Sequence, residues 1–213
     1  MNTHPLRGVL DDAAAGRFPS ADGGVDVVPP VTGLAGVLVG MTGHFVLAAD
    51  IDPCEIAERL PRGGFSAAMS ATTLTWIGTR VGSTPSTFDA LLVRRGTGAG
   101  VPAGMREVAT HDHPRVERAL RYRRQARVFV AEDAVLVVGQ GVCDRWELGF
   151  EVDPSARSRG AGRAVARAAA DLVPAGEPLW AQVSPGNAAS MRALAAAGFV
   201  AVGAEVLFPL LPE

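Results

Sequence analysis

Short apolar stretches alternate with segments of helical spacing along the second half of the chain. The apolar stretches predict strands at Glu107–Thr110, Val128–Ala131, Ala134–Gly139, Trp146–Val152, Leu179–Val183 and Val200–Phe208. Segments with apolar residues every three or four positions predict helices at His113–Arg124, Gly160–Leu172 and Asn187–Ala197. Helices interleaved with strands in this order indicate an α/β fold in which helices cover the faces of a sheet.

The first half of the chain carries the same two kinds of pattern in a less regular order. It predicts strands at Val25–Val28, Leu34–Val39, His44–Ala49 and Phe88–Val93, of which the second and third form a hairpin. Helices are predicted near Leu10–Ala15, from Asp52 to Leu60 and over Ser70–Val81. This half is therefore predicted to be an additional α/β region.

Between the two halves lies a segment that is unsuited to regular structure. Residues 95–104 contain four glycines and one proline in ten positions, a composition that favours loops. We predict a domain boundary here, with an N-terminal α/β region of unknown role at residues 1–100 and a second domain at residues 101–213.

Composition excludes several classes of protein. The chain has 213 residues, 48% of them hydrophobic, and a formal net charge of −2, which gives no sign of a nucleic-acid partner. Cys54 and Cys143 lie far apart in sequence, so neither a disulfide framework nor a zinc site is expected. No apolar run approaches the roughly 20 residues that span a bilayer. We therefore expect a soluble cytoplasmic protein without a membrane partner or a bound metal.

The segment from Glu151 to Arg163 holds the clearest signs of chemistry. A strand runs into Pro154, and Gly160 and Gly162 then open a helix. The first turn of a helix has N–H groups without intrahelical partners and carries about half a positive charge. Glycines keep side chains away from those donors, so the turn favours an anion such as phosphate. Three arginines add positive charge at the same point: Arg157, Arg159 and Arg163.

A pair of glycines at a helix start does not by itself indicate a phosphate site. The glycines could simply allow positive φ in a tight turn. A Walker-type phosphate loop is excluded because the chain contains no lysine. A dinucleotide fingerprint would place a third glycine where Val165 stands, which argues against an oxidoreductase that binds NAD.

Two segments in the second half carry a family pattern. The first is Arg157-Ser-Arg-Gly160-Ala-Gly162, preceded by Val152-Asp-Pro; the second runs from Val183 to Phe199 and has Asn187 at its helix start and Gly198-Phe199 at its end. Together they resemble the GNAT superfamily of acyl-CoA-dependent N-acyltransferases, whose signature is Q/R-x-x-G-x-G/A. The resemblance covers about residues 105–208, roughly half the chain. It implies a GNAT-like mixed, mostly antiparallel central sheet flanked by helices.

The resemblance also implies a co-substrate, acetyl-CoA. In that family the strand that here ends at Val152 pairs with the pantetheine arm, the following loop binds the pyrophosphate, and the asparagine contacts the cofactor. The implied cofactor-binding residues are Val152, Arg157, Ser158, Arg159, Gly160, Ala161, Gly162, Arg163 and Asn187. Asn187 could also be a plain N-cap of its helix, and both roles can hold together.

Acyl transfer to an amine needs a base, an oxyanion donor and stabilisation of the leaving thiolate. Glu147 and Glu151 share one face of their strand because they are an even number of residues apart. Either could relay a proton or hold a cationic acceptor, but both could also lie on a solvated face. Many relatives protonate the thiolate with a tyrosine whose position is occupied here by Leu194, and Ser190 is the nearest substitute. The catalytic candidates are therefore Glu147, Glu151 and Ser190.

Two further groups of residues could take part in binding but fit a plainer role. His111 and His113 flank Asp112 and could hold a metal or act as a base, although histidines in surface loops are commoner. Six arginines from Arg115 to Arg127 could attract the 3′-phosphate of coenzyme A or an acidic acceptor. A solvated helix face accounts for these arginines more simply.

The sequence thus predicts an N-acetyltransferase. It would move an acetyl or short acyl group from acetyl-CoA to an amine of a small molecule or a protein N-terminus by direct attack in a ternary complex. The alternative is a catalytically silent module that binds or senses acyl-CoA, which Leu194 and the first half without motifs favour.

The role of the first half stays open. Asp50-Ile-Asp-Pro53 echoes Glu151-Val-Asp-Pro154, so this half could be a degenerate GNAT-like copy, but four residues are weak support and chance is the better explanation. Otherwise it would complete the fold, cover the acceptor cleft or form the contact of a homodimer.

Overall fold

The computed structural model describes residues 3–60, 64, 66–86, 88–109 and 112–210. In this part the chain has ten strands and six α-helices, and most of the strand pairs are antiparallel. The predicted mixed α/β fold class is therefore confirmed. No helix among these residues is long and apolar enough to cross a bilayer.

The chain forms two compact units. The first contains the described residues up to Leu91 and from Val202 onward, and the second contains Leu92–Ala201. The helices and strands of the first unit are α1 (Pro5–Ala14), β1 (Val25–Val28), β2 (Leu34–Met41), β3 (His44–Ala49), α2 (Pro53–Arg59) and α3 (Ala71–Val81). Strand β4 (Asp89–Arg95) leads into the second unit.

The second unit continues with β5 (Arg106–Val108), α4 (Pro114–Tyr122), β6 (Arg124–Ala131), β7 (Ala134–Gln140), β8 (Trp146–Val152), α5 (Ala161–Asp171), β9 (Pro178–Val183) and α6 (Ala188–Ala196). Strand β10 (Val200–Pro209) returns to the first unit. The predicted domain boundary at residue 100 stays a prediction.

Within the first unit the strand order is β1-β3-β2-β10, and only β1 and β3 run parallel. Leu38 and Leu47 face each other across β2 and β3. They pack in one buried cluster with Ile56 of α2, Ile77 of α3 and Phe208 of β10. Burial of these apolar side chains is what holds this unit together.

Helix α1 begins five residues before its predicted start near Leu10. His4 caps it, since the Nδ1 atom of its ring accepts the N–H of Leu6 at 3.1 Å, and Pro5 occupies the first turn. A proline in the first turn needs no hydrogen-bond donor and has the right φ for a helix. Leu6, Leu10 and Ala13 form the buried stripe.

Within the second unit the strands follow in the order β9-β8-β7-β6-β5. Strands β5 to β8 are antiparallel neighbours, whereas β8 and β9 run parallel. Helix α4 packs on β6, β7 and β8, while α5 packs on β7, β8 and α6. The buried valines of β6 and β7 meet Val116 and Ala119 of α4.

Helix α4 is shorter than predicted, and β6 is longer. The helix ends at Tyr122, and the strand already begins at Arg124, which pairs with Gln140. Gln125 has φ +49° at an irregularity in this pairing. A run of arginines has no apolar period, so the sequence could not show where the helix gives way to the strand.

The glycine-rich segment after β4 caps a helix end. The N–H groups of Thr97, Gly98 and Gly100 donate to the carbonyls of Ala170, Val173 and Asp171 at 2.8 to 2.9 Å. A Cβ on Gly96 would lie only 2.6 Å from the carbonyl oxygen of Pro174, so no larger residue fits there. The glycines therefore serve the last turn of α5, whose carbonyls need partners outside the helix.

Candidate functional site

The candidate site lies where β8 turns into α5. Strand β8 has the predicted bounds, Trp146–Val152. Asp153 follows, and its Oδ1 atom accepts the N–H of Ser155 at 2.9 Å and the hydroxyl of Ser155 at 2.7 Å. These hydrogen bonds from Ser155 lower the pKa of Asp153. The carboxylate thereby stabilises a short 3₁₀ turn at Pro154–Ala156 that begins the loop.

Two residues of this loop have left-handed backbone conformations. Ser158 has φ +63° and Gly160 has φ +88°. For serine this costs about 1 kcal/mol, and such local strain is common at ligand sites. Gly160 accepts the conformation without strain, and a Cβ built on it would meet only Nη2 of Arg163, at 3.9 Å.

The first turn of α5 is open to a ligand. Gly160 is the N-cap residue and offers no side-chain acceptor to the N–H groups of this turn. Arg157, Arg159 and Arg163 are exposed around it. Arg157 also fixes the loop, since its Nε donates to the carbonyl of Val152 at 3.1 Å. Unsatisfied N–H groups, the helix dipole and three guanidiniums together favour an anion at this end.

Gly162 lies in a different environment from Gly160. A Cβ built on it would lie 3.4 Å from Cβ of Ala193 in α6 and 3.7 Å from the ring of Phe150 in β8. Both distances are ordinary van der Waals contacts, so alanine would fit at this position. A small residue at position 162 lets α5 lie close to α6 and β8.

Strands β8 and β9 are paired over only two rungs. Trp146 pairs with Leu179 and Glu147 with Trp180. On its other edge β8 is paired with β7 along its whole length, from Trp146 to Val152. The two parallel strands therefore separate after Glu147, and the edge of residues 148–152 that faces β9 is left for another partner. An extended chain with amide groups can bind to such an edge as an added strand.

Glu147 is enclosed by donors. Its Oε1 accepts from Nε of Arg145 at 2.8 Å and from the N–H of Val142 at 3.2 Å, and its Oε2 accepts from Nε of Arg123 at 3.2 Å. Burial raises the pKa of Glu147, but the charges of Arg145 and Arg123 outweigh it and hold that pKa below its usual range. The alternative of a solvated face is therefore wrong for Glu147.

Glu151 is more accessible than Glu147. Its side chain is 39% exposed, and it accepts from Nε of Arg115 at 3.2 Å and from Nη2 of Arg157 at 3.5 Å. It borders a cavity of about 230 Å³ together with His113, Val152 and the turn between β6 and β7. The two glutamates share one face of β8 as predicted, but only Glu151 faces open space.

The start of α6 contains the remaining candidates. Oδ1 of Asn187 accepts the N–H of Ser190 at 3.0 Å, so Asn187 is an N-cap. Asn187 itself is exposed and Ser190 is half-buried. Leu194 is buried and offers no proton donor.

The arginines between Arg115 and Arg127 are mostly paired with carboxylates. Four of them have acidic partners: Arg115 with Glu151, Arg123 with Glu147, Arg124 with Asp144 and Arg127 with Glu107. Arg121 lies over the ring of Tyr122. A solvated helix face therefore accounts for only part of this segment. The pairing also weakens it as an anion-binding surface.

The histidines give no support to a metal site. His113 caps α4 by accepting the N–H of Arg115 at 3.1 Å through Nδ1. His111 lies outside the described residues. Within those residues no group of three His, Cys, Asp or Glu side chains is placed to hold a metal ion.

The residues that fit coenzyme A come from two places in the second unit. The loop from Arg157 to Arg163 offers N–H groups and guanidiniums for a pyrophosphate. The edge of β8 beyond its last pair with β9 offers backbone groups to a pantetheine arm, whose two amides resemble a peptide, and the carbonyl of Leu148 on β8 already accepts from Arg123. The carbonyl of Val152 is likewise bonded to Arg157.

Sequence patterns missed the arginines around Glu147. Arg145 and Glu147 are two residues apart and so share a strand face, which is a signal for an ion pair. Arg123, the residue that follows α4, is 24 residues away in sequence, and no local pattern connects it to Glu147. The turn that brings Arg145 inward contains Cys143 at φ +51° and Asp144 at φ +59°. The identity of these two residues does not predict a left-handed backbone conformation.

Comparison with known proteins relates part of the chain to one family. Residues 102–199 match the family model of the acetyltransferase (GNAT) family. No curated protein matches the chain.

The chain is also similar to three solved structures. A GCN5-related N-acetyltransferase from Kribbella flavida is 16% identical, with 65% of this chain and 64% of that chain covered and a TM-score of 0.40. A GNAT-family acetyltransferase from Colwellia psychrerythraea is 14% identical, with coverage of 66% and 63% and a TM-score of 0.37. A GCN5-related N-acetyltransferase from Sphaerobacter thermophilus is 11% identical, with coverage of 65% and 56% and a TM-score of 0.37. The chain spans less than two thirds of the length of each of these structures. Residues 102–199, a little under half of the chain, are therefore similar to the acetyltransferase (GNAT) family.

Proposed function

We propose that this protein is an N-acetyltransferase that moves an acetyl or short acyl group from acetyl-CoA to an amine. The observation that carries the proposal is a juxtaposition within the second unit. The gap between β8 and β9 opens at Glu147, and the open first turn of α5 follows the same strand. A nucleotide with a long amide-containing arm would fit both features, its phosphates at the helix turn and its arm along the strand.

Acceptor and co-substrate would react directly in a ternary complex. The amine nitrogen attacks the thioester carbonyl, a bond from carbon to nitrogen forms, and the bond from carbon to sulfur breaks. The amine must give up a proton, and the thiolate of coenzyme A must gain one. A backbone N–H of β8 beyond its last pair with β9 would stabilise the oxyanion.

Side chains for the two proton transfers are limited. Glu151 is the accessible carboxylate on the face of β8 and is our candidate base. Ser190 is the candidate donor to the thiolate, since Leu194 cannot serve. Loss of the usual tyrosine would cost about 100-fold in rate if nothing replaces it, so turnover is expected to be slow.

The first test is calorimetric titration with acetyl-CoA, desulfo-CoA and NAD. We expect micromolar binding of both coenzyme A compounds and none of NAD. A screen of small amines and N-terminal peptides, followed by mass spectrometry, would then detect the acetylated acceptor. Failure to bind either coenzyme A compound would contradict the proposal.

A second candidate function is a catalytically silent module that binds acyl-CoA. The buried Leu194 favours it, because the domain lacks the usual acid. Affinity for acetyl-CoA without product from any amine would support this alternative. A product lost in Glu151→Gln or Ser190→Ala, with binding intact, would exclude it.

The cytoplasmic location, the absence of a metal, the amine class and a homodimer belong to the same proposal. They rest on the sequence and the family resemblance. Measurement of activity after dialysis against a chelator and of mass in solution would test two of them.

A further inference from the structure

The cluster around Glu147 is buried and charged. The exposed fractions of its side chains are 7% for Glu147, 1% for Arg145 and 14% for Arg123. Ion pairs in such a place give little net stability, because removing the charges from water costs about as much as their attraction returns. Apolar side chains would hold an ordinary core equally well, so stability alone does not account for the cluster and its geometry becomes the relevant property.

The turn before β8 is shaped around this carboxylate. A Cβ on Gly141 would lie only 2.3 Å from the carboxyl carbon of Glu147. The N–H of Gly141 donates to the carbonyl of Arg145 at 3.0 Å, which closes the turn. The turn therefore wraps Glu147 so closely that it fixes where the carboxylate lies.

The cluster touches both strands at the point where they separate. Glu147 and Trp180 form the last paired rung of β8 and β9. The guanidinium of Arg145 lies 5.4 Å from the ring centroid of Trp180, a cation–π distance. Arg123 reaches one residue further, since its Nη2 donates to the carbonyl of Leu148 at 3.2 Å.

A catalytic base at Glu147 conflicts with this geometry. Both of its carboxylate oxygens accept hydrogen bonds from buried donors, whereas the arginines that pair with Glu151 are exposed. The lowered pKa agrees, since it weakens the carboxylate as a proton acceptor.

We propose that Glu147 is a positioning residue that, with Arg145 and Arg123, fixes the end of the pairing between β8 and β9 and so sets the width of the gap for the acyl-CoA arm. The part that concerns acyl-CoA rests on the function proposed above. The part that concerns the strands stands on its own, because it describes the protein without a ligand.

The test compares three variants of the full chain with the wild type. Glu147→Gln keeps the shape of the side chain and removes its charge. Arg123→Met keeps an apolar stem and removes one partner from the more exposed side of the cluster, so it is the variant most certain to fold. Glu107→Gln is the matched control, because Glu107 and Arg127 also form an arginine–carboxylate pair, at 2.7 Å, but on β5 and β6.

Hydrogen exchange without ligand is the first measurement. We expect the backbone N–H groups of β8 and of residues 179–183 to exchange about tenfold faster in Glu147→Gln and Arg123→Met than in the wild type or the control. Exchange unchanged in Arg123→Met, and in Glu147→Gln where it folds, would overturn the proposal whether or not acetyl-CoA binds.

Binding and kinetics give the second measurement. We expect Kd and KM for acetyl-CoA to rise about tenfold in both variants, with kcat within about threefold and its pH profile unchanged. Loss of kcat by 100-fold or more with a missing limb of the pH profile in Glu147→Gln would instead make Glu147 the base. A wild type that does not bind acetyl-CoA would contradict the proposed function alone, and the exchange rates would still decide the role in the strands.

Discussion

Two corners of this molecule are built alike and differ in what they can bind. At each, a strand is followed, directly or within three residues, by an aspartate and a proline: Asp52-Pro53 in the first unit and Asp153-Pro154 in the second. Oδ1 of Asp52 accepts the N–H of Cys54 at 2.8 Å, and Oδ1 of Asp153 accepts the N–H of Ser155 at 2.9 Å. The backbone angles of the two aspartates are also similar, with φ −63° and ψ 125° against φ −50° and ψ 136°.

The two segments differ in structure after the proline. In the first unit α2 begins at once, capped by Asp52, and Glu55 in its first turn pairs with Arg80. The negative charge of Asp52 also raises the pKa of Cys54. An anion would meet a filled cap and acidic side chains there, so this corner is not a phosphate site.

In the second unit the loop is longer and ends differently. A 3₁₀ turn and three exposed arginines precede a helix whose N-cap is glycine. The donors of that helix are therefore open and surrounded by positive charge. The comparison teaches that the Asp-Pro corner only specifies how the chain turns, while the next residues decide whether an anion can bind. Local capping explains the similar corners without a duplicated domain, and the degenerate-copy hypothesis stays a prediction.

Gly160→Asp is the substitution that should most strongly remove the difference in anion binding between the two corners. A carboxylate at the N-cap would fill the site and repel a phosphate, so we expect affinity for acetyl-CoA to fall by about 100-fold or more. Calorimetry measures the loss, and circular dichroism checks the fold. Gly33→Asp is the matched control, since Gly33 also has positive φ, +83°, and open space around it. Equal affinity in Gly160→Asp and the wild type would refute the assignment of the loop.

Removal of single arginines should have an intermediate effect. Arg159→Gln and Arg163→Gln each delete one exposed guanidinium near the first turn of α5, and we expect affinity for acetyl-CoA to fall about tenfold in each. The effect should shrink at high salt, because exposed charges are screened. Arg80→Gln, which deletes the partner of Glu55 in the first unit, serves as the control. Losses that do not depend on salt would argue against a direct ionic contact.

The aspartates allow the two corners to be tested in parallel. Asp52→Ala and Asp153→Ala should each lower the free energy of unfolding, because each removes an N-cap acceptor. Only Asp153→Ala should also weaken acetyl-CoA binding, by a few fold, because its turn positions Arg157. Urea denaturation and calorimetry separate the two effects. Weaker binding in Asp52→Ala would show that the first corner takes part after all.

The smallest expected effect is on acid stability. Hydrogen bonds from Ser155 lower the pKa of Asp153 in the folded protein. Its contribution to stability is therefore complete above the unfolded pKa of about 3.9 and is lost as pH falls through the lower folded value. We expect Asp153→Asn to reduce slightly the loss of stability between pH 5 and pH 2. Urea denaturation across this range measures it, and an unchanged slope would contradict the assignment.

Much of the site could be predicted from short stretches of sequence. The bounds of β8, the turn after Pro154, the N-cap role of Asn187 and the opening of α5 by Gly160 all depend on residues within a few positions of one another. Helix caps, prolines and glycines with a left-handed backbone act through local backbone geometry, which short stretches of sequence predict. Hence the loop could be found without the fold.

The environment of the two glutamates could not be predicted in the same way. Their even spacing placed Glu147 and Glu151 on one face, but one is enclosed by arginines and the other borders a cavity. The partners of Glu147 come from the turn before β8 and from the residue that follows α4. Which arginine pairs with which carboxylate depends on packing between segments that are distant in sequence. Such packing leaves no periodic pattern in the local sequence.

By itself, therefore, the sequence determined the family resemblance, the strand and helix that flank the loop, and the charges around it. Only the tertiary structure decided that β8 and β9 part after Glu147 and Trp180, that the glycine-rich segment caps α5, and that Glu147 is held by Arg123 and Arg145. The physical reason is the distance along the sequence between the residues that interact. Backbone preferences and caps are set by neighbours along the chain, whereas strand separation, burial and ion pairing are set by side chains that meet only after the chain has folded.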